Sequence, residues 1–110
     1  MVARKREPRR GEVWWCELQD SGRRPACVLT RPAAIPVLTA VLVAPATRTI
    51  REIPTEVRLG SGDGMPEECV LAFDNVATVP KALLTQRITA LAPERLPELC
   101  RALVVASGCA

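Results

Sequence analysis

Apolar and polar residues alternate along most of the chain, and this pattern predicts strands almost to its C-terminal end. GEVWWCEL (11–18) sets Trp14, Cys16 and Leu18 on one face and Val13, Trp15 and Glu17 on the other. QDSGRR (19–24) reads as a turn-rich loop. ACVLT (26–30) is a short apolar strand introduced by Pro25, and RPAAIP (31–36) breaks it, because two prolines cannot continue a ladder. VLTAVLVA (37–44) is apolar on both faces and predicts a central strand. Pro45 is expected to end or bend it, leaving PATRTIR (45–51) as a polar, basic loop. TEVRL (55–59) alternates again, and GSGDGMP (60–66), with glycine at 60, 62 and 64, is the clearest turn. ECVLAFDNV (68–76) follows as a strand with Asp74 near its end, PKALLT (80–85) as one helical turn, and RITAL (87–91) as the last strand.

The period changes after residue 92. In PERLPELCRALVVASG (93–108), Leu96, Leu99, Cys100, Leu103 and Val104 recur at helical spacing on one face. Pro97 has no N–H to donate, so the regular helix is expected to begin near it, and Gly108 is a natural stop. Short strands followed by one helix predict a mainly β (α+β) domain, a small, strongly bent sheet or barrel. With no internal repeat or linker, it is read as a single domain over 10–110, behind a basic arm (1–9) expected to be disordered. A sheet in so small a chain often leaves one apolar face to a partner, so dimerisation is expected.

Composition narrows the chemistry. The chain has 110 residues, 48% of them hydrophobic but only 3% aromatic, so its core must be built of Val, Leu, Ile and Ala. No apolar run reaches the ~20 residues of a membrane span, and the charged start lacks the apolar stretch of a secretory signal, so a cytoplasmic protein is expected. The net charge of +3 is uneven: residues 1–31 carry eight basic and four acidic side chains. A basic front half favours a polyanionic partner. There is no histidine, which excludes histidine-based triads and leaves acid–base work to Asp, Glu, Arg, Thr, Cys or Lys. The five cysteines, Cys16, Cys27, Cys69, Cys100 and Cys109, show no metal-ligand spacing and read as small buried thiols. No metal and no cofactor is expected.

The polar groups at strand ends are Arg23 and Arg24, Thr47 and Arg48, Asp74, and Arg87. Arginine presents a planar fork of donors suited to phosphate, threonine a hydroxyl for an oxyanion, and aspartate an acceptor. Together they form a minimal set for phosphodiester chemistry.

Six segments in order then resemble the MazF/PemK (Kid) family of toxin endoribonucleases. They are GEVWWCEL, RPACVLT, VLVAPATRT, IPTEVRL, CVLAFDNVATVPKALL and RITALAPERLPELCRAL. The resemblance implies the SH3-like barrel with a C-terminal helix shared by MazF and CcdB toxins, a homodimer, and a cognate MazE-like antitoxin. It implies metal-independent, sequence-specific cleavage of single-stranded RNA, leaving 2′,3′-cyclic phosphate and 5′-hydroxyl ends. The family's catalytic arginine, in its Arg-Pro motif, falls on Arg24, and its catalytic threonine, after Pro-x, on Thr47. Arg23 and Arg48 are expected to contact RNA phosphates. Asp74 would orient Arg24, contact a base or cap its own turn, and Arg87 would bind RNA or form a surface ion pair. Trp14 reads as core; Trp15 reads as core or dimer contact, or as a surface on which a base stacks. The chain departs from some members in carrying Ala72 two residues before the aspartate, a shorter 19–24 loop, and Thr30-Arg31 after the Arg-Pro strand. The rivals are a CcdB-like, non-catalytic inhibitor of DNA gyrase on the same fold, and an RNA-binding module without turnover.

Overall fold

The computed structural model describes residues 7–18 and 22–109. Gly22, Arg23 and Arg24 of the expected 19–24 loop are strand instead, and 19–21 of that loop and residues 1–6 of the expected basic arm lie outside the described residues. Within them the strands are β1 (Glu12–Leu18), β2 (Gly22–Val28), β3 (Ala40–Thr47), β4 (Glu56–Leu59), β5 (Cys69–Ala72), β6 (Ala77–Pro80) and β7 (Leu84–Ala90). One helix follows, α1 (Leu96–Ser107). Every pairing is antiparallel, in the order β4-β5-β3-β2-β1-β7, with β6 also on β3. The sheet coils into a barrel-like form without closing, and the helix lies on it, as the sequence pattern predicted.

Two cores explain why the middle strands are apolar on both faces. One face of β1, β2 and β3 supplies Val13, Cys27, Ala44 and Ala46 to a cluster with Leu59, Leu71, Phe73, Leu91 and α1. The other face supplies Trp14, Cys16, Ala26, Val28, Val41 and Val43 to a second cluster closed by Ile35, Val79 and Leu84. Glu12, buried beneath β1, accepts from the Arg9 amide (2.8 Å) and the Trp14 indole (3.0 Å). At the N-terminal end Pro8 is buried, and Lys81 Nζ donates to Glu7 and to the Ile35 carbonyl.

Four other expectations are corrected. The central strand begins at Ala40, not Val37; Val37 and Leu38 are exposed, while Ile35 of the proline-rich break folds back into the core. Pro45 does not end that strand. β3 pairs with β6 through residues 40–43 and with β5 through 46–47, and Pro45 falls at the changeover, where it opposes neither. The predicted 68–76 strand ends at Ala72, because a 3₁₀ turn at Phe73–Asn75 buries Phe73 and redirects the chain into a separate strand, β6. On α1 the buried stripe is Leu99 and Ala102, flanked by Leu96, Leu103 and Ala106; Cys100 and Cys109 are exposed, whereas Cys16, Cys27 and Cys69 are buried as expected. The helix begins one residue before Pro97 and stops at left-handed Gly108 (φ 71°), as predicted.

The 60–66 turn is fastened to the helix. Arg95 donates to Asp63, to Glu98 (2.8 Å) and to the Arg58 carbonyl (2.7 Å). Gly64 closes the turn at φ +87°, and a Cβ there would stand 2.4 Å from Thr89 Oγ1, which donates to the Asp63 carbonyl. Gly64→Ala therefore meets a steric clash and a disfavoured backbone together. The expected loss is roughly 1–3 kcal/mol, read as a lower urea midpoint with an unchanged slope.

Candidate active site

The sequence sets Arg24 two residues before the point where β2 and β3 begin to pair. The last rung of that ladder is Ala26 opposite Pro45. Two residues further along the same register stand Arg24 and Thr47, and one further still Arg23 and Arg48. These residues are not paired, because β3 turns at this point to join β5 through Ala46 and Thr47. A cleft of about 730 Å³ opens in the fork. Trp15, Arg23, Arg24 and Pro25 line one side, Ala46 to Thr49 come from the end of β3 and beyond, and Met65, Pro66, Glu67 and Cys69 line the other.

The three arginines of the cleft differ in what holds them. Arg23 lies 4.4 Å over the Trp15 ring and donates to Gln86 Oε1 (2.9 Å), both uncharged partners. Arg48 is 3.3 Å from Glu67 Oε2. The Arg24 side chain makes no hydrogen bond or ion pair among the described residues, so no described carboxylate neutralises it. Thr47 Oγ1 accepts from the Thr49 amide (3.2 Å). That bond orients the hydroxyl yet leaves its hydrogen free to donate.

Among the described residues the cleft lining sets three guanidinium groups against one carboxylate, Glu67, and so favours an anion. Cys69 offers no nucleophile at neutral pH. Burial, then the Asp63 and Glu67 carboxylates, push its pKa above the ordinary thiol value, so it stays protonated.

The structure thus brings Arg23, Arg24, Thr47 and Arg48 to one cleft, and sets Asp74 and Arg87 elsewhere. Asp74 sits in the 3₁₀ turn after β5 and accepts from Thr55 Oγ1 (2.6 Å). Arg87 lies opposite Trp14, its Nε 4.0 Å from Glu12 Oε2. Trp14 is core, while Trp15 is half-buried at the cleft. The Met65–Glu67 wall was missed by sequence reasoning. Its only sequence signal is that it immediately precedes β5, and the register that carries it to the end of β3 is a tertiary fact.

The family model described as "PemK-like, MazF-like toxin of type II toxin-antitoxin system" matches residues 9–106. A protein named probable endoribonuclease MazF5, from Mycobacterium tuberculosis, is 48% identical over 103 residues, 93% of this chain and 94% of that protein. Among solved structures, Mycobacterium tuberculosis toxin MazF-mt6 superposes with a TM-score of 0.81 at 33% identity, covering 88% of this chain and 96% of its own. A mycobacterial endoribonuclease in complex with its cognate antitoxin gives 0.83 at 28% identity, covering 92% and 95%.

Proposed function

The chain belongs to the PemK-like, MazF-like family of type II toxins, and on that premise we propose that it is the endoribonuclease toxin of a toxin–antitoxin pair, with its active site in the β2/β3 fork. The toxin domain spans 10–110 behind the basic arm. The substrate is single-stranded RNA, met in the cytoplasm. The working unit is a homodimer, held inactive by a cognate MazE-like antitoxin. Among the described residues no helix is long and apolar enough to cross a membrane.

The reaction is metal-independent. The RNA 2′-oxygen gives its proton to solvent water and attacks the adjacent phosphorus, a new P–O2′ bond forms, and the P–O5′ bond breaks. The departing 5′-oxygen takes up a proton, leaving a 2′,3′-cyclic phosphate and a 5′-hydroxyl. Arg24 and Thr47 stabilise the charge that builds on the phosphoryl oxygens between them, the first by a charged fork of donors, the second by its oriented hydroxyl. A guanidinium offers donors and no acceptor, so Arg24 serves as an electrostatic stabiliser rather than a base. The observation that carries this reading is Arg24, its side chain unpartnered among the described residues, standing across from Thr47 in an arginine-rich cleft.

Arg23 and Arg48 are assigned to flanking phosphates, which set affinity more than sequence choice. Asp74 and Arg87, outside the cleft lining, are assigned to RNA contacts at its periphery. A gyrase-inhibitor role on the same fold is not favoured, because the matched relatives are named endoribonucleases.

Purified chain incubated with a broad pool of single-stranded RNA in excess EDTA should cleave it, and the fragments should carry 5′-hydroxyl ends. Binding without cleavage, or cleavage that EDTA abolishes, would contradict the proposal.

A further inference from the structure

Among the described residues lining the cleft Glu67 is the only carboxylate, and it pairs with Arg48. The pair joins the chain just past β3 to the wall that precedes β5. Both side chains are largely exposed, at 79% and 62%. An ion pair so exposed contributes little, so a stronger anion displaces it readily. The carboxylate's field also reaches the cleft wall, where it is one of the charges acting on Cys69. The cleft therefore holds three cations of graded availability: Arg24 without a side-chain partner among the described residues, Arg23 held by neutral groups, and Arg48 carrying its own counterion.

We propose that Glu67 is a built-in competitor for the phosphate bound by Arg48, a positioning residue that weakens backbone binding at one subsite and so raises the share of affinity that base contacts must supply. The inference rests on the cleft being the RNA site. In the free protein Glu67 holds Arg48. When RNA enters, one phosphate takes the guanidinium and Glu67 is left beside a polyanion. Each phosphate neutralised on a single strand steepens the dependence of log affinity on log salt by about 0.7. Glu67 hides one such contact, because the carboxylate that Arg48 leaves is an unneutralised negative charge beside the strand and holds back the counterion that the phosphate would release.

The test uses the full chain and a labelled, uncleavable single-stranded 2′-O-methyl RNA pool, with cleavage of unmodified RNA measured in parallel. Glu67→Gln should tighten binding roughly three- to tenfold at low salt and steepen the salt slope by about 0.7, lowering KM with kcat within about twofold. Arg48→Ala in the same chain should erase the gain. Glu68→Gln serves as the control, since Glu68 pairs with Arg58 outside the cleft and should change nothing. Unchanged affinity and slope in Glu67→Gln, or a gain that survives Arg48→Ala, would overturn the proposal. So would a hundredfold fall in kcat, which would make Glu67 a proton acceptor in the reaction. Arg24→Ala separates the two readings. If Arg24→Ala is inactive and Glu67→Gln is silent, only the role of Glu67 fails. If Arg24→Ala cleaves normally, the cleft assignment fails and takes this proposal with it.

Discussion

Arg24→Ala should lower the rate of RNA cleavage by roughly 10²–10³-fold, the usual effect of removing one donor aimed at developing charge. Thr47→Ala should lose a similar or smaller factor. Neither change should cost much stability. Arg24 is exposed and without a partner among the described residues, and the Thr47 hydroxyl serves only the Thr49 amide. The loss should fall on kcat, because these contacts strengthen as charge builds on the phosphoryl oxygens. Arg24→Lys should recover only part of the rate, since an ammonium is a point charge and cannot span two oxygens with a planar fork. Cleavage assays paired with thermal melts check all of this. Full activity in Arg24→Ala, with an unchanged melt, would remove Arg24 from the chemistry.

The largest stability effect is expected at Phe73. Its side chain is 1% exposed, in the turn between β5 and β6, packed in the cluster that joins the sheet to α1. Its amide also donates to the Thr55 carbonyl (2.9 Å), fixing the turn. Phe73→Ala should cost about 3–5 kcal/mol, the range for removing a buried aromatic ring and leaving a cavity. A domain of this size has only about 5–15 kcal/mol to lose, so the melting temperature should fall by more than about 10 °C. The same cluster contains Ala46, Met65 and Cys69, which line the cleft. Activity should therefore decline well below the new melting temperature, as the cleft loosens before the chain unfolds. A variant that melts within about 3 °C of the parent would show that the cluster repacks around the missing ring.

Much of the fold is legible in local pattern, and its limits are instructive. β1 and the helix announce themselves, because alternation and helical spacing are properties of neighbouring residues. β3 was misplaced by three residues because Val37 and Leu38 have strand-like side chains but are spent on an exposed turn; nothing local distinguishes them from Val41 and Val43. Pro45 was read as ending or bending the strand, since a proline removes one ladder bond. Its tolerance depends on β3 changing partners there, which no local window contains. Phe73 looked like one more strand residue, although it anchors the turn that splits the segment.

The site divides in the same way. Arg24 and Thr47 could be picked out because family motifs tie them to prolines at strand ends. That they share a fork with Arg23 and Arg48 follows from the β2/β3 register. Glu67 was missed because its meaning depends entirely on Arg48, nineteen residues away in sequence.

The most direct measurement is a structure of the chain bound to a single-stranded RNA whose 2′-hydroxyl is absent at the cleavage position, so that it binds without reacting. The scissile phosphate should lie in the fork, with the Arg24 guanidinium and the Thr47 hydroxyl both within hydrogen-bond reach of its oxygens, and Arg48 turned from Glu67 to a neighbouring phosphate. A scissile phosphate bound elsewhere on the protein, with Arg24 and Thr47 left in solvent, would contradict the assignment of the active site.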